Sequence, residues 1–348
     1  MSGFLPTLEQ SLLLQVALAP DARALAAWTA WREVRGAQGL THIDPASSHL
    51  LPLIARRLET LPGYDRWELA KIKGVHKKSL TRNMLLQHRV RPLLARFADA
   101  GIDAVVVGAA GLVKRVYPDL GARYMVAFDV WIPPATLPGA LSLAREAGWT
   151  PTIRAPERRV EVGDFQVLRG ADGLELVLRT HFLAESFCAG NADTVVRDRT
   201  LEEARGAETR VLAPEDALVQ AAVVGASWSA EAFVDWATDL ALGLARWSID
   251  WDRVVELAAT YKVGLAVGST LGTLPSVGVP VPVEVLRTLV KLPKSGAERA
   301  AFAARTTRPP LELASLWADY RFRFASGKSL PRALIGFKRF YDLRLGHI

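Results

Sequence analysis

The sequence predicts an α+β fold in which a small mixed β-sheet core is flanked by N-terminal and C-terminal helical regions. Apolar residues recur at intervals of three and four over most of the first hundred residues. Between residues 101 and 210, short apolar runs bounded by glycine or proline alternate with helical segments. From about Ala213 onward the helical periodicity returns. We therefore expect three regions, at residues 1–100, 101–210 and 211–348.

The amino-acid composition indicates a globular protein without a disulfide framework. The chain has 348 residues, of which 50% are hydrophobic and 23% charged, a balance typical of globular proteins. Its single cysteine excludes an internal disulfide framework and a cysteine zinc cluster. A net charge of +7 favours anionic partners such as nucleotides, nucleic acid or an acidic peptide.

The first residues, MSGFLPTLEQ, carry neither the basic segment nor the apolar segment of a secretory signal. No apolar run approaches the ~20 residues that cross a bilayer. We expect a cytoplasmic protein with no membrane partner.

The helical regions are predicted from periodicity and from the proline and glycine residues that separate the segments. In the N-terminal region a long final segment contains Gly74 and Pro92, which we expect to break or bend it. The predicted helices before it are LEQSLLLQVAL, DARALAAWTAWREVR and SSHLLPLIARRLETL. Those of the C-terminal region are PEDALVQAAVVGASW, EAFVDWATDLALGLARW, WDRVVELAATYK and VPVEVLRTLVKL.

The middle region begins with a strand, a helix and a strand: IDAVVVG, AAGLVKRVY and, after the link PDLGAR, AFDVWI. A further helix, LPGALSLAREAGW, is followed by two predicted strands, RRVEVGDFQVLRG and LELVLRTHF. The Gly-Ala-Asp-Gly sequence that joins these strands is typical of a β-hairpin turn. These elements predict a small mixed sheet.

The stretch GIDAVVVGAAGLVKRVYPDLGARYMVAFDVWI resembles a bacterial family of uncharacterised nucleotidyltransferases, whose members read roughly GIPxLLLKGAALxxxxYPDPGLRPMxDIDLLV. The segments SSHLLPLIARRL upstream and LAPEDALVQAAVVGASW, VDWATDL and IDWDRVVELA downstream are also similar to family segments. The resemblance therefore covers most of the chain. It implies a nucleotidyltransferase-like α/β core.

The resemblance also implies a site. A strand that ends in glycine at the start of a helix allows backbone N–H groups and the helix dipole to hold phosphate oxygens. Gly108, Ala109 and Ala110 stand at that turn. On the next strand the family has two acids separated by one residue, which the strand period points to one face, where they share Mg²⁺ ions with a third acid from a neighbouring strand.

The sequence departs from this pattern at the acids. The first acid position is Ala127, and the second, Asp129, remains. The third falls at Arg179, in the sequence Arg179-Thr180-His181-Phe182. The family's lysine before the glycine is replaced by Val107, and a downstream His-Gly pair reads Val224-Gly225.

One carboxylate binds Mg²⁺ poorly, because the ion normally shares several oxygen ligands. Glu161 and Asp164 are alternatives for the missing metal-binding acid. Glu175 is too far away for this role, because it lies about 13 Å along the strand from Arg179. We predict that Arg179 pairs with Asp129, so that a guanidinium replaces the charge of a metal ion.

Two further residues have alternative interpretations. Arg123 either meets a phosphate or anchors the PDLGAR link, and His181 is either a structural residue or an auxiliary base. The basic residues of the long helical segment predict a solvated surface, and the absence of aromatic residues between Lys71 and Arg91 gives nucleic-acid binding little support. These basic residues are Lys71, Lys73, Lys77, Lys78 and Arg82.

Two functions follow. In the first, the chain is a pseudoenzyme that binds a nucleotide, a peptide or a protein partner at the site where the family binds its substrate. In the second, it is an active Mg²⁺-dependent nucleotidyltransferase in which Asp129 is the catalytic and metal-binding acid within an atypical set. The replaced acids favour the pseudoenzyme. The retained glycine turn supports the active enzyme.

Overall fold

The computed structural model of the protein describes residues 3–66, 68–153, 165–203, 209–227, 233–309, 311–325 and 328–345. Helices dominate both ends of the chain. The N-terminal helices are α1 (Leu8–Leu18), α2 (Asp21–Arg35), α3 (Pro45–Thr60) and α4 (Leu69–Asp99). Helices α5 (Gly108–Val116), α6 (Leu137–Glu146) and α7 (Ala192–Asp198) lie between the strands.

The C-terminal part contains eight helices within the described residues. They are α8 (Pro214–Gly225), α9 (Asp235–Arg246), α10 (Trp251–Thr260), α11 (Gly264–Thr273), α12 (Val283–Lys291), α13 (Gly296–Thr307), α14 (Leu313–Phe324) and α15 (Leu330–Leu345). Short 3-10 helices lie at Gly36–Gln38, Pro134–Thr136, Ala184–Cys188 and Leu274–Val277.

The described strands form one mixed seven-stranded sheet. They are β1 (Val105–Val107), β2 (Phe128–Trp131), β3 (Trp149–Pro151), β4 (Phe165–Gly170), β5 (Glu175–Arg179), β6 (Leu201–Glu203) and β7 (Thr209–Val211). Their order is β3-β4-β5-β2-β1-β7-β6. The β2–β5 and β1–β7 pairs are parallel, and the other pairs are antiparallel. The predicted α+β class with a small mixed sheet is confirmed.

The predicted hairpin is also confirmed. Strands β4 and β5 are antiparallel, and Arg169 pairs with Glu175 in register. In the turn, the N–H of Gly173 donates to the carbonyl of Gly170 at 3.0 Å, and Gly173 adopts a φ of 74°, which glycine tolerates best. The turn sequence therefore set the register of the strand that carries Arg179.

Helix α4 continues through both Gly74 and Pro92, so the predicted break does not occur at either residue. Leu86, Val90 and Leu93 are buried on one side of this helix, whereas Pro92 is exposed. Packing of the apolar face holds the helical path across the hydrogen bond that proline cannot make. Helix α6 is shorter than predicted, because Trp149 begins β3.

One hydrophobic core runs from Phe4 to Leu289 and contains buried residues of all three predicted regions. A second, smaller core between α14 and α15 consists of Leu316, Tyr320, Ala333, Phe340 and Leu343. Helix α5 contacts β1 and β2 and is also packed against α8 and α9. This packing places the start of α5 beside the sheet and the C-terminal helices, where the candidate site lies.

Candidate functional site

A cavity of about 450 Å³ lies between the sheet, the start of α5 and helices α8 and α9. It is called the cleft below. Its sheet side carries Val107, Asp129 and Arg179, and its helical side carries Gln220 and Asp239. The volume is within the range of small-molecule sites.

The cleft brings together the three positions at which the family places acids. Ala127, Asp129 and Arg179 all line it. Ala127 and Asp129 reach one cavity because residues two apart on an extended chain point to the same face. Strand β5 lies parallel beside β2, with Trp131 opposite Arg179, so the long arginine side chain extends back toward Asp129.

Asp129 and Arg179 form an ion pair, as predicted. The guanidinium donates from Nε to Oδ1 of Asp129 at 2.9 Å, and Nη2 lies 2.8 Å from the same oxygen. The two side chains are 16% and 22% exposed, so the pair is largely shielded from water. The flat guanidinium also lies 5.5 Å from the ring centre of Phe165. A fixed positive charge therefore stands beside the carboxylate.

Gly108 connects β1 to α5 with a φ of 59°, a conformation that side chains with a Cβ rarely adopt. A Cβ on Gly108 would lie 3.5 Å from Oδ2 of Asp129, so the carboxylate stands directly over the turn. The N–H of Gly108 donates to Oε1 of Gln220 at 3.0 Å. This N–H is therefore occupied by the protein itself, and a ligand anion at this turn would need other donors.

The two alanines after Gly108 lie on different sides of α5. Ala109 lines the cleft together with Gly111. Ala110 is buried and instead lines a separate cavity beside α4, with Val106 and Lys114 among its neighbours. Of the three predicted phosphate-turn residues, Gly108 and Ala109 line the cleft and Ala110 does not.

Arg123 is held by two carboxylates of α9. Its Nε lies 3.0 Å from Oδ1 of Asp239, and its Nη1 lies 3.2 Å from Oδ2 of Asp235. The hydroxyl of Tyr117 donates to the same Asp239 oxygen at 2.6 Å, and Nδ1 of His49 lies 2.9 Å from Asp235. Burial alone would lower the pKa of Arg123, but the two carboxylates raise it well above its ordinary value.

This network favours the anchoring interpretation of Arg123. Burial by itself would raise the pKa of Asp235, but the charge of Arg123 and the hydrogen bond from His49 lower it. Burial raises the pKa of Tyr117 well above its ordinary value, and the charge of Asp239 raises it further. The network fixes the link before β2 to helix α9, and its charged groups form one wall of the cleft.

Aromatic rings line the end of the cleft nearest α9. Tyr124, Phe233 and Trp236 all face it. Val224 and Gly225, at the replaced His-Gly pair, lie beside them. A Cβ on Gly225 would come within 2.3 Å of Cγ of Trp236, so glycine is required for the close packing of α8 on this ring. Flat apolar surfaces of this kind suit an aromatic ring of a ligand.

His181 lies outside the cleft lining. Its ring stacks at 4.3 Å on Phe187, and its Nδ1 is 3.2 Å from the hydroxyl of Thr180. Phe187 in turn lies 4.9 Å from Phe324 of α14. These contacts favour the structural interpretation of His181, because its ring belongs to a stack that ties the end of β5 to the C-terminal helices.

The remaining acids of the cleft are engaged by arginines. Glu175 accepts from Nη2 of Arg169 at 2.5 Å, and Asp235 and Asp239 hold Arg123. Glu161 and Asp164, the predicted substitute acids, lie outside the described residues. Within the described ranges, no group of three or more His, Cys, Asp and Glu side chains is arranged to hold a metal ion. This donor set does not fit a two-metal centre.

Three polar residues that shape the cleft, Asp235, Asp239 and Gln220, are among those that sequence reasoning missed. Asp235 and Asp239 stand four positions apart in the VDWATDL segment, a spacing that puts both on one face of a helix and so carried a usable signal. Gln220 carried none. Its Nε2 donates to the carbonyl of Phe182 at 3.2 Å while its Oε1 accepts from Gly108, so a single amide joins the ends of β1 and β5.

A strand turns through Gly108 into a helix beside a second strand that carries Asp129, an arrangement that fits a nucleotidyltransferase-like α+β protein. The family model described as "Uncharacterised nucleotidyltransferase" matches residues 46–276, and the chain belongs to this family. The match includes the whole sheet and helices α8 to α11 and ends before α12.

A comparison with curated proteins gave no match to the chain. Within the described residues, none of the helices combines the length and the hydropathy that a bilayer-crossing segment requires.

Proposed function

We propose that the chain binds a nucleotide in the cleft and does not transfer a nucleotidyl group by a two-metal mechanism. The observation that carries this proposal is the ion pair between Asp129 and Arg179, with Nε and Nη2 at 2.9 and 2.8 Å from one carboxylate oxygen. A metal ion at Asp129 would have to displace or repel a guanidinium that already meets the carboxylate.

Charge supports the same proposal. Two Mg²⁺ ions normally offset the negative charge of the phosphates during transfer. Ala127 supplies no ligand, and Arg179 supplies a permanent positive charge at the third acid position. The guanidinium of Arg179 supports contact with a phosphate oxygen without a metal ion, since arginine bonds phosphate strongly.

The shape of the cleft supports a nucleotide over a smaller anion. The cleft lining combines the guanidinium of Arg179 with the rings of Tyr124, Phe233 and Trp236. A ligand that carries both a phosphate and a flat aromatic base matches both kinds of surface. The positive net charge of the chain favours its approach. A peptide or protein partner with an acidic group and an aromatic ring is the other ligand class for this surface.

The alternative function is Mg²⁺-dependent transfer by an atypical acid set built around Asp129. It is favoured by the presence of Glu175, Asp235 and Asp239 in the cleft lining. Each of these acids already holds an arginine, so recruitment to a metal ion would require those ion pairs to open. We therefore rank this function second.

The test is calorimetric titration with ATP, GTP, CTP and UTP in the presence of EDTA. The wild type is compared with Arg179→Ala and with the control Arg287→Ala, which removes an exposed ion pair to Glu284 on α12, where neither partner lines the cleft. We expect at least one nucleotide to bind, and Arg179→Ala to weaken its binding about tenfold or more, as for a charge-assisted hydrogen bond.

Arg287→Ala should bind like the wild type. Absence of binding by all four nucleotides in EDTA, together with binding in magnesium that incorporates nucleotide into an acceptor, would contradict the proposal and support the alternative. Equal losses in both variants would show that the effect is not specific to the cleft.

A further inference from the structure

A second cavity of about 320 Å³ adjoins the cleft and is lined in part by helices that lie beyond the family match. Helices α13, α14 and α15 contribute Glu298, Arg305, Ser315, Arg323 and Arg344. The second cavity shares Arg179, Val224 and Ser227 with the cleft. Residues beyond position 276 therefore form part of a second cavity next to the cleft.

Most of the charges around the second cavity are already paired. Arg305 donates from Nη1 to Oε1 of Glu185 at 2.5 Å, and Arg323 lies 2.6 Å from Asp319. Arg179 holds Asp129. Lys262 and Arg344 also line the cavity, so five basic side chains face Glu185, Glu298, Asp319 and the Asp129 partner of Arg179. The cavity therefore offers hydrogen-bond donors and acceptors with only a small net positive charge. This pattern favours an uncharged polar ligand over an ion.

Two buried oxygen atoms supply a second, independent observation. Oε2 of Glu185 and Oγ of Ser315 are buried and have no hydrogen-bond partner among the described residues. Both residues are 6% exposed, and both line the second cavity. A buried acceptor without a donor costs about 1 to 3 kcal/mol. Donors brought by a ligand would recover that cost.

Apolar rings complete the lining. Phe165, Phe302 and Phe322 face the second cavity together with Val263 and Leu265. A ligand that combines several hydroxyl groups with apolar C–H faces meets both kinds of surface. An alkyl chain would leave the buried oxygens without donors, and a strong anion would face Glu185 and Glu298.

We propose that the second cavity binds an uncharged polyhydroxylated molecule of monosaccharide size, with hydroxyl donors to Glu185 and Ser315 and C–H contacts to the phenylalanine rings. This site is separate from the nucleotide site of the proposed function and does not depend on it. Because Arg179 borders both spaces, a ligand in the second cavity would lie next to the Asp129–Arg179 pair.

The test uses three probes that share one ring and differ in charge: D-glucose, D-glucosamine and D-glucuronate. Saturation-transfer NMR and calorimetry measure binding to the full chain and to Ser315→Ala and Glu185→Gln. Ser276→Ala, an exposed serine remote from the second cavity, is the matched control. ATP is titrated into the same samples, so that a failure of this site is distinguished from a failure of the cleft.

We expect glucose to bind at least as tightly as either charged probe. Ser315→Ala and Glu185→Gln should each weaken glucose binding roughly three- to tenfold, the effect of one lost hydrogen bond. Ser276→Ala should leave it unchanged. If Glu185→Gln fails to fold because Arg305 loses its partner, Ser315→Ala decides alone.

The proposal is overturned if no probe binds saturably at concentrations up to about 50 mM. It is also overturned if a charged probe binds more tightly than glucose, or if Ser315→Ala binds glucose like the wild type.

Discussion

Arg179 reaches Asp129 with two nitrogen atoms that share one oxygen, Nε at 2.9 Å and Nη2 at 2.8 Å from Oδ1. The other oxygen, Oδ2, faces the start of α5 at Gly108. The last acid of the family motif is therefore placed between a guanidinium and the positive end of a helix. Both neighbours stabilise its negative charge without a metal ion.

Gly108→Ala tests the turn under this carboxylate. Alanine at a φ of 59° is strained and should lower the free energy of unfolding by about 1 to 2 kcal/mol. The matched control is Gly74→Ala, inside α4, where an added Cβ meets nothing within 4 Å. That change should raise stability by up to about 1 kcal/mol, because alanine is the better helix former. Urea unfolding followed by circular dichroism measures both; an equal response of the two variants would contradict a turn that requires glycine.

Arg123→Met tests the buried network that supports one wall of the cleft. Removing the guanidinium leaves Asp235 and Asp239 without their main counter-charge, at 14% and 7% exposure. We expect a loss of about 3 to 5 kcal/mol in the free energy of unfolding, as for a broken buried ion pair. Arg287→Met, which removes an ion pair 64% exposed on the arginine side, should cost less than about 1 kcal/mol. Similar losses in both variants would contradict a structural role specific to Arg123.

Asp216→Asn tests the pH dependence of stability. Burial raises the pKa of Asp216 to about 6, although Arg253 lies 3.3 Å away and lowers it. Between about pH 4 and pH 6 the folded chain therefore holds this proton more tightly than the unfolded chain, and this contribution to stability is lost as pH rises.

The variant has no such proton. Its stability relative to the wild type should rise by up to about 3 kcal/mol from pH 4 to pH 7. Chemical unfolding at a series of pH values measures this difference. A difference that falls over this window would mean that Arg253 dominates and that the pKa is depressed.

How far the sequence predicted the molecule depended on the range of the interactions. Periodicity and turn composition identified the long helices, the β4–β5 hairpin and the shared face of Ala127 and Asp129, because those features are local. The ion pair between Arg179 and Asp129 could be predicted because an arginine replaces an acid at one motif position.

Contacts between segments that are distant in the sequence could not be predicted. Gln220 reaches Gly108 across 112 positions, and nothing in its own segment indicates that contact. Strands β6 and β7 have three residues each, too few to show an alternating pattern. The long helix was predicted, but its continuation through Pro92 was not, because packing of its buried face outweighs the local preference of proline.

The most direct test of the account is the affinity for ATP of Asp129→Asn and of the wild type, measured by calorimetry in magnesium and again in EDTA. If Arg179 replaces the metal ion, removal of the carboxylate charge leaves the guanidinium free to meet phosphate oxygens, and the variant should bind ATP as tightly as the wild type or more tightly in both conditions. A loss of about tenfold or more in magnesium, with no change in EDTA, would show that Asp129 binds a metal ion and would contradict the account.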